Sequence, residues 1–385
     1  GVRRMDDLLE EYGDNTVRGV FAELKDRSSS QMRSLISELP DGVYSAEDFL
    51  DNDGIEDEPL RVALDLKIDG ETLTFDFSQS ADACAGPVNI SESTAIAATY
   101  VALKHVFRDV PANAGVLDPI TFLIPGGKIL SAVAPRPVGG YTETILRLID
   151  VVFCAFSQAN SEIAPANGYG TINAVSINGR RPGEDRPWVF FTFFGGGLGG
   201  HSEGDGLTHG NAAISMATIP PAEILEAALP VMFTEWGIRP DSAGPGKHRG
   251  GFGAIYEMEL LDERGTGFVF GERGRFPPKG IAGGGNAAVD VVSYDQDDGT
   301  QIPAMTSKAV GIRLKKGHRI RIESPGGGGF GSPIERDPEL VAKDVRLGLI
   351  SIEAASDQYG VLLSDSGEID ADATQTRRQS MTAAE

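Results

Sequence analysis

The chain has 385 residues, 41% of them hydrophobic and 23% charged, enough apolar material for a sizeable core and a composition that excludes wholesale disorder. Its formal net charge of −22 argues against nucleic acid or an anionic membrane surface as the main partner, since both favour Lys and Arg. Two cysteines, Cys84 and Cys154, are too few for a disulfide framework and lack metal-type spacing, which fits a reducing cytoplasm; no run approaches the roughly 18 apolar residues of a membrane span.

The chain opens on Gly1, and Met5 to Tyr12 already reads as the middle of a helix, the pattern expected of a fragment or a processed product. Helical spacing runs from residue 3 to 39 through Leu8, Leu9, Val17, Val20, Phe21 and Leu24, then Met32, Leu35, Ile36 and Leu39. Ser28 to Ser30 supply cap signals between two helices of a hairpin. After the turn Pro40-Asp41-Gly42, the alternating runs Val62 to Ile68 and Thr72 to Phe77 flank Asp69-Gly70 and predict a β-hairpin. A helix rich in small residues follows from Ser91 to Val106. A second spans about Glu143 to Ala155, with Ile145, Leu148, Val152 and Phe156 on its apolar face. Strand signals dominate 170–194 and 251–323, with a helix at about 221–229; a helical pair at 337–347 and 351–358 precedes a polar tail without apolar periodicity. The expected fold is α+β and β-rich. Its expected divisions are a helical segment over 1–40, a core over 41–333, a helical extension over 334–363 and a disordered tail over 364–385.

Glycine is the compositional outlier, with 49 residues clustered at 195–200, 283–285 and 326–329. The cluster from Gly195 to Gly200 follows a hydrophobic strand and leads into His201, Glu203, Asp205, His209 and Asn211. Glycines there would let backbone N–H groups approach a ligand, and the polar residues are candidates for metal binding or proton transfer. A mobile loop with solvated polar residues accounts for the same pattern equally well, and the spacing matches no tight zinc signature. In Gly139 to Thr144, Thr142 or Thr144 reads first as a helix N-cap; an open helix start facing a pocket, able to hold a carboxylate or phosphate, is the second and compatible reading. Gly250 to Gly253 and Pro325 to Gly331 lack the Lys-Ser/Thr of a P-loop, so no ATP site is read into them. His105 reads as a core histidine, and no Gly-x-Ser-x-Gly elbow is present.

The order of short motifs is more specific than any one of them. Leu39 to Gly42 is followed by Glu47 to Asp51, Gly86 to Asn89, Pro111 to Gly115, Val138 to Gly140 with Glu143-Thr144, and Gly170 to Asn173. Arg239 to Gly244, His248 to Gly251, Arg275 to Pro278 and Ser324 to Gly331 complete the series. The series resembles the hydantoinase B/5-oxoprolinase family from about residue 5 to 363. The resemblance implies a B-type half that works with an A-type partner: the partner binds ATP and phosphorylates the carbonyl of a cyclic amide such as hydantoin, N-methylhydantoin or 5-oxoproline, and the B half completes ring opening.

In that reading His201, Glu203, Asp205 and His209 carry catalysis, while Thr142, Glu143, Thr144, Asn173 and Asn211 bind substrate. ATP sits on the partner, and a divalent metal is expected with its ligands mainly outside this chain, in a further segment that B-type halves carry before the part represented here. At Asn211 relatives often carry a second histidine, which puts a catalytic His pair in doubt. The alternatives are a component of a ketone carboxylase of the acetone/acetophenone type and a non-catalytic assembly component.

Overall fold

The computed structural model describes residues 1–180, 186–215, 218–364 and 366–382. The N-terminal segment is helical, as α1 (Val2–Tyr12) and α2 (Asp14–Ile36), but the break falls at Gly13, whose φ is 80°, and not at the serine cluster. Ser28 lies inside α2 and is buried. Its hydroxyl donates to Pro111 O at 3.3 Å and accepts from Asn113 Nδ2 at 2.8 Å, so the serine bonds across the interface rather than capping a helix end.

The first layer is the sheet β1 (Gly42–Leu50), β2 (Leu60–Asp69), β3 (Thr72–Asp76) and β4 (Ile120–Leu123), in that order. The hairpin expected around Asp69-Gly70 is β2–β3, with Gly70 at φ 59° supplying the left-handed turn. Strand β1, which has no clear alternation of apolar residues, pairs antiparallel with β2 along its length. Helices α3 (Glu92–Val106) and α4 (Tyr141–Ala159) close the apolar face, where Leu66, Phe75, Ala98, Leu148, Val152 and Phe156 are buried together. Ala95, Ala98 and Ala102 are the small residues that let α3 lie close to its neighbour.

Two further sheets form the second layer. Strands β5 (Ala174–Arg180) and β6 (Pro187–Thr192) come first, then α5 (Ala222–Ala228), β7 (Val231–Ile238), β8 (Ala254–Leu260) and β9 (Arg264–Phe270). Strands β10 (Val291–Gln296), β11 (Gly299–Gln301), β12 (Lys308–Lys315) and β13 (Arg319–Glu323) complete the set. They assemble in the orders β12-β9-β5-β6 and β11-β10-β13-β8-β7 and share one core that includes Val175, Ile177, Phe190, Tyr256, Met258 and Ile322. Strict alternation of buried positions along β8 is the signature of a strand with one face on that core.

The glycine clusters are mortar between these layers. Gly197 N donates to Pro325 O, Gly200 N to Gly328 O, Gly327 N to Gly251 O, Gly251 N to Leu198 O and Gly329 N to Gly285 O, all within 2.8 to 3.1 Å. A Cβ on Gly197 would stand 1.9 Å from Gly251 O, and one on Gly327 would stand 2.0 Å from Leu198 O. No side chain fits at such separations, so glycine is required by backbone approach. The expectation that these N–H groups serve a ligand is corrected here: at Gly196, Gly197, Leu198 and Gly200 the backbone donors are taken by other backbone carbonyls.

After residue 333, α6 (Pro338–Arg346) and α7 (Ile352–Tyr359) pack Val341, Ala355 and Tyr359 against Phe252. The tail read as disordered carries a further helix, α8 (Ala371–Thr382). Its anchors are polar, which is why apolar periodicity missed it: Arg378 donates to Tyr359 O at 3.0 Å and Arg336 O at 2.8 Å, and Thr374 Oγ1 accepts from Leu362 N at 3.0 Å. Residues 365 and 383–385 of that tail, and 181–185 of the strand region, lie outside the described residues. The fold is α+β, with helical segments at both ends.

Candidate functional site

Helix α4 starts without a side-chain cap. Gly140 occupies the N-cap position, Thr142 is half-buried in the first turn, and the Thr144 hydroxyl donates to Val88 O, so neither threonine plays the capping role read from sequence. A Cβ at Gly140 would meet Phe270 Cζ at 2.6 Å, so any of the usual caps, Ser, Thr, Asn or Asp, would have to displace that ring. Beyond this start, Glu143, Arg147 and Asp150 follow at intervals of four and three and so share a helix face. All three are buried, against the end of β1 and the segment after β9.

There they join a dense charged cluster. Arg147 Nη1 lies 3.2 Å and Arg273 Nη1 2.8 Å from Asp48 Oδ2, and Arg273 Nη2 pairs with Asp150 Oδ2. Lys308 Nζ pairs with Glu272 Oε1, and Asp51 N donates to Glu272 Oε2 at 2.7 Å. Asp51 accepts from Gly274 N at 2.7 Å and Arg275 N at 3.0 Å. The Thr171 hydroxyl accepts from Asn173 N at 3.2 Å and Glu272 N at 3.0 Å, while Glu143 Oε1 accepts from Ile172 N at 3.1 Å. Asn173, at φ 47°, donates from Nδ2 to Asp290 Oδ1 at 3.0 Å, and Ser307 donates to Asp290 Oδ2 at 2.9 Å.

Six carboxyls (Asp48, Asp51, Glu143, Asp150, Glu272, Asp290) thus share the buried cluster with three cations (Arg147, Arg273, Lys308). Such an excess of buried negative charge is relieved by protonation. Burial first, and Glu272 second, push Glu143 up to about 8. Burial likewise pushes Asp290 up to about 7, against the donors Ser307 and Asn173. The dipole of α4 favours a charged Glu143 by up to ~2 kcal/mol, whereas desolvating a carboxylate costs several kcal/mol, so the neutral acid wins. Glu143 Oε2 and Asn173 Oδ1 are buried with no hydrogen-bond partner among the described residues.

An acid whose folded value is raised binds its proton more tightly in the folded state. Its stabilising contribution is complete below the unfolded value near 4.5 and is lost as pH rises toward about 8. Glu143→Gln, permanently neutral, is therefore expected to flatten the fall in stability between about pH 5 and pH 8, by on the order of 3 kcal/mol. Urea unfolding at both pH values checks this, and parallel pH profiles for the two proteins would reject the neutral assignment.

The four residues chosen from sequence as catalytic occupy three environments. His201 and Glu203 line a cleft of about 540 Å³ together with His105, Arg108 and Glu162, and Glu203 faces Arg108 at 3.4 Å. His105, read as core, is exposed and borders this cleft. Asp205 is an ion-pair residue: burial opposes its charge, but Arg336 at 2.7 and 2.8 Å and Arg249 outweigh it and hold the carboxyl below its usual range. Both arginines also grip Asp344 of α6, so Asp205 ties the C-terminal helices to the glycine stack.

His209, at φ 53°, accepts from Trp236 Nε1 at 3.1 Å through Nε2, with the Tyr256 hydroxyl at 2.7 Å. Because the indole only donates, Nε2 is the bare nitrogen and the ring proton belongs on Nδ1. Asn211 Oδ1 accepts from Ala212 N at 2.7 Å. Of the substrate-binding set, Glu143, Thr144 and Asn173 are brought to one region. Burial pushes the Cys84 thiol up to about 11 and Cys154 up to about 12, so neither is a ready thiolate nucleophile.

The family model described as Hydantoinase B/oxoprolinase matches residues 1–333. The chain belongs to this family. Among curated relatives, the B component of a putative D-/L-hydantoinase from Pseudomonas sp. (strain NS671) is 30% identical over 98% of this chain and 65% of its own length. The beta chain of the caprolactamase from Pseudomonas jessenii is 29% identical over 98% of this chain and 66% of its own. The crystal structure of the ATP-dependent caprolactamase from that organism superposes with a TM-score of 0.85 at 28% identity, covering 98% of this chain and 66% of that one. A nucleotide-free acetone carboxylase matches at a TM-score of 0.82 and 18% identity, over 99% of this chain and 57% of that chain, which shows a shared fold. This hydantoinase B family chain thus spans about two thirds of the length of the two curated relatives.

Sequence reasoning missed most of the charged cluster. Asp48 and Asp51 stood inside a family motif without an assigned role, and Arg147, Asp150, Glu272, Arg273, Asp290 and Lys308 carried none. One signal was available, the 4-3 spacing of Glu143, Arg147 and Asp150 on one face of α4. The divalent metal expected for the family does not fit these residues: three cations already sit among the six carboxyls, and no group of three or more His, Cys, Asp or Glu among the described residues is arranged to hold a metal.

Proposed function

We propose that this chain is the B-type component of an ATP-dependent cyclic amide hydrolase, acting with an A-type partner that binds ATP. The observation that carries this reading is the 0.85 TM-score to ATP-dependent caprolactamase at 28% identity, over almost the whole chain. A cyclic amide is a poor electrophile. Once the partner has moved the γ-phosphoryl group of ATP onto the ring carbonyl oxygen, water forms a bond to that carbon, the ring nitrogen takes a proton as the C–N bond breaks, and a second water releases phosphate from the acyl phosphate.

Within this chain we assign Glu143 and Asn173, with Thr142 and Thr144 beside them, to the substrate side of the protein. His201, Glu203 and His209 remain candidates for proton movement, and Asp205 acts by positioning the loop that carries them. We place the protein in the cytoplasm, where its two unpaired thiols stay reduced. A carboxylase component and a non-catalytic assembly role are the alternatives, and both are outcomes of the same test.

That test is copurification of the chain with an A-type partner and whatever further segment accompanies them, metal analysis of the complex, and assay of ADP release with hydantoin, 5-oxoproline and ε-caprolactam. ADP and ring-opened product in equal amounts for at least one ring are expected, with a loss of at least tenfold in kcat for His209→Ala in protein that still assembles and melts cooperatively. A complex that consumes ATP only with a ketone and bicarbonate, or full activity in both His201→Ala and His209→Ala, would overturn the assignment.

A further inference from the structure

Helix α1 has no buried residue, and in α2 Val17 is the only one before Ser28. Yet α1 is sharply amphipathic. Val2, Met5, Leu8, Leu9 and Tyr12 fall at the spacing of one helix face, and Arg3, Asp6, Asp7 and Glu10 point away from it. Leu9 is half-buried, whereas the other four apolar residues are exposed, Val2 by 77% and Tyr12 by 54%. The first half of α2 adds Val20, Phe21 and Leu24, also exposed.

An 11-residue helix is marginal in water on propensity alone and owes its stability to the covering of its apolar face. Here that face is open. The seven exposed side chains of α1 and α2 present on the order of 600 Å² of apolar surface, within reach of the ~600–1,000 Å² per partner of a standard stable interface. A membrane surface does not suit it: α1 carries four carboxylates against two arginines, the wrong balance for anionic lipid.

The charges of α1 select a helix of the same kind running the other way. Arg3 and Arg4 stand at its start, Glu10 and Glu11 at its end. Arg4 and Glu11 are seven residues apart, about two turns, so both border the same edge of the apolar face. In an antiparallel pair related by a twofold axis that edge meets its own copy, and Arg4 of each chain faces the partner's Glu11. A parallel pair would instead bring like charges together at both ends. The charges needed are not engaged at home. Arg18 pairs with Asp14 at 2.8 Å and Arg27 with Glu23 at 2.6 Å, but among the described residues no ion pair involves Arg3, Arg4, Glu10 or Glu11. We infer that the apolar face of α1 and the first half of α2 is a self-association surface, on which a second copy of this chain docks with its α1 antiparallel. This surface is independent of the function proposed above.

Sedimentation equilibrium reads the dimer directly, on the wild-type chain, on Leu8→Glu, and on two charge-reversed chains, one with Arg3→Glu and Arg4→Glu, the other with Glu10→Arg and Glu11→Arg. All five positions are exposed and lie outside the three sheets, so cooperative melting of the core is the folding control. The wild type is expected to dimerise with a dissociation constant on the order of 10 µM. Leu8→Glu and each charge-reversed chain alone should weaken that at least tenfold, and an equimolar mixture of the two charge-reversed chains should restore it. Amide exchange needs no substitution: across residues 2–12 of the wild type it should slow at least tenfold from dilute to concentrated protein. A wild type that stays monomeric at ~100 µM overturns the inference. So does a dimer that Leu8→Glu leaves intact, or a mixture that associates no better than its components. Protection of residues 2–12 that appears only when an A-type partner is added also overturns it and gives this face to that partner.

Discussion

Gly250→Ala is expected to abolish accumulation of folded protein. The added Cβ would stand 1.8 Å from Gly327 O and 2.4 Å from its carbonyl carbon, and both are backbone atoms held in the glycine stack. A crowded side chain can rotate away, and overpacking then costs about 1–3 kcal/mol. A carbonyl bonded into neighbouring segments cannot, because moving Gly327 also breaks its N–H bond to Gly251 O. The cost should exceed the whole stability of an ordinary domain, on the order of 5–15 kcal/mol. Gly19→Ala is the matched control: it lies in α2 with open space around the added methyl and should stabilise the protein by about 1 kcal/mol. Soluble yield and thermal melting of the two variants decide the matter; a Gly250→Ala protein melting within a few degrees of wild type would show that the stack is not close-packed.

Arg273→Met should cost about 3–5 kcal/mol, the penalty for leaving buried carboxylates without their cation. Arg273 lies between Asp48 and Asp150, and all three are buried, which limits the water that could replace the lost partner. The penalty has a pH signature. Burial already raises the Asp150 carboxyl well above its usual range; without the guanidinium it takes a proton more readily still, and low pH favours this, so the destabilisation should be smaller at about pH 5 than at about pH 8. Adding Asp150→Asn to Arg273→Met should recover part of the loss. Denaturant unfolding of the wild type, the two single variants and the double variant measures the coupling; strictly additive effects would mean that the two residues do not share a charge network.

The sequence made several elements legible for local reasons. The hairpin at Asp69-Gly70 follows from a period of two on either side of a turn dipeptide, and α3 begins where Ser91 caps it by accepting from Thr94 N. Helix α4 was visible from Ile145, Leu148, Val152 and Phe156, although it extends from Tyr141 to Ala159. Errors came where a local signal competed with a distant one. Ser28 to Ser30 look like caps, yet Ser28 is held inside α2 by Pro111 and Asn113, more than 80 residues away. The polar tail looks disordered, yet Arg378 reaches carbonyls 19 and 42 residues back.

The candidate site divides in the same way. Glu143, Thr144 and Asn173 were chosen because a family motif contains them, and the structure gathers them at the start of α4 and its contact with Thr171. His201, Glu203, Asp205 and His209 were grouped because they are close in sequence, and the glycine stack sends them to different neighbours.

By itself, the sequence determined the α+β class, the hairpin, most helix positions and the family resemblance, since these depend on residue periodicity and on motif order along the chain. The tertiary structure alone decided that the glycine N–H groups are bonded to other backbone, that six carboxyls and three cations share one buried cluster, and that α4 starts without a side-chain cap. The pairs that build the cluster are far apart in the chain: Arg147 meets Asp48 across 99 residues and Arg273 meets it across 225. A carboxyl's protonation and a helix end's freedom depend on what else is buried within a few ångströms, and no spacing rule along one strand or helix contains that information.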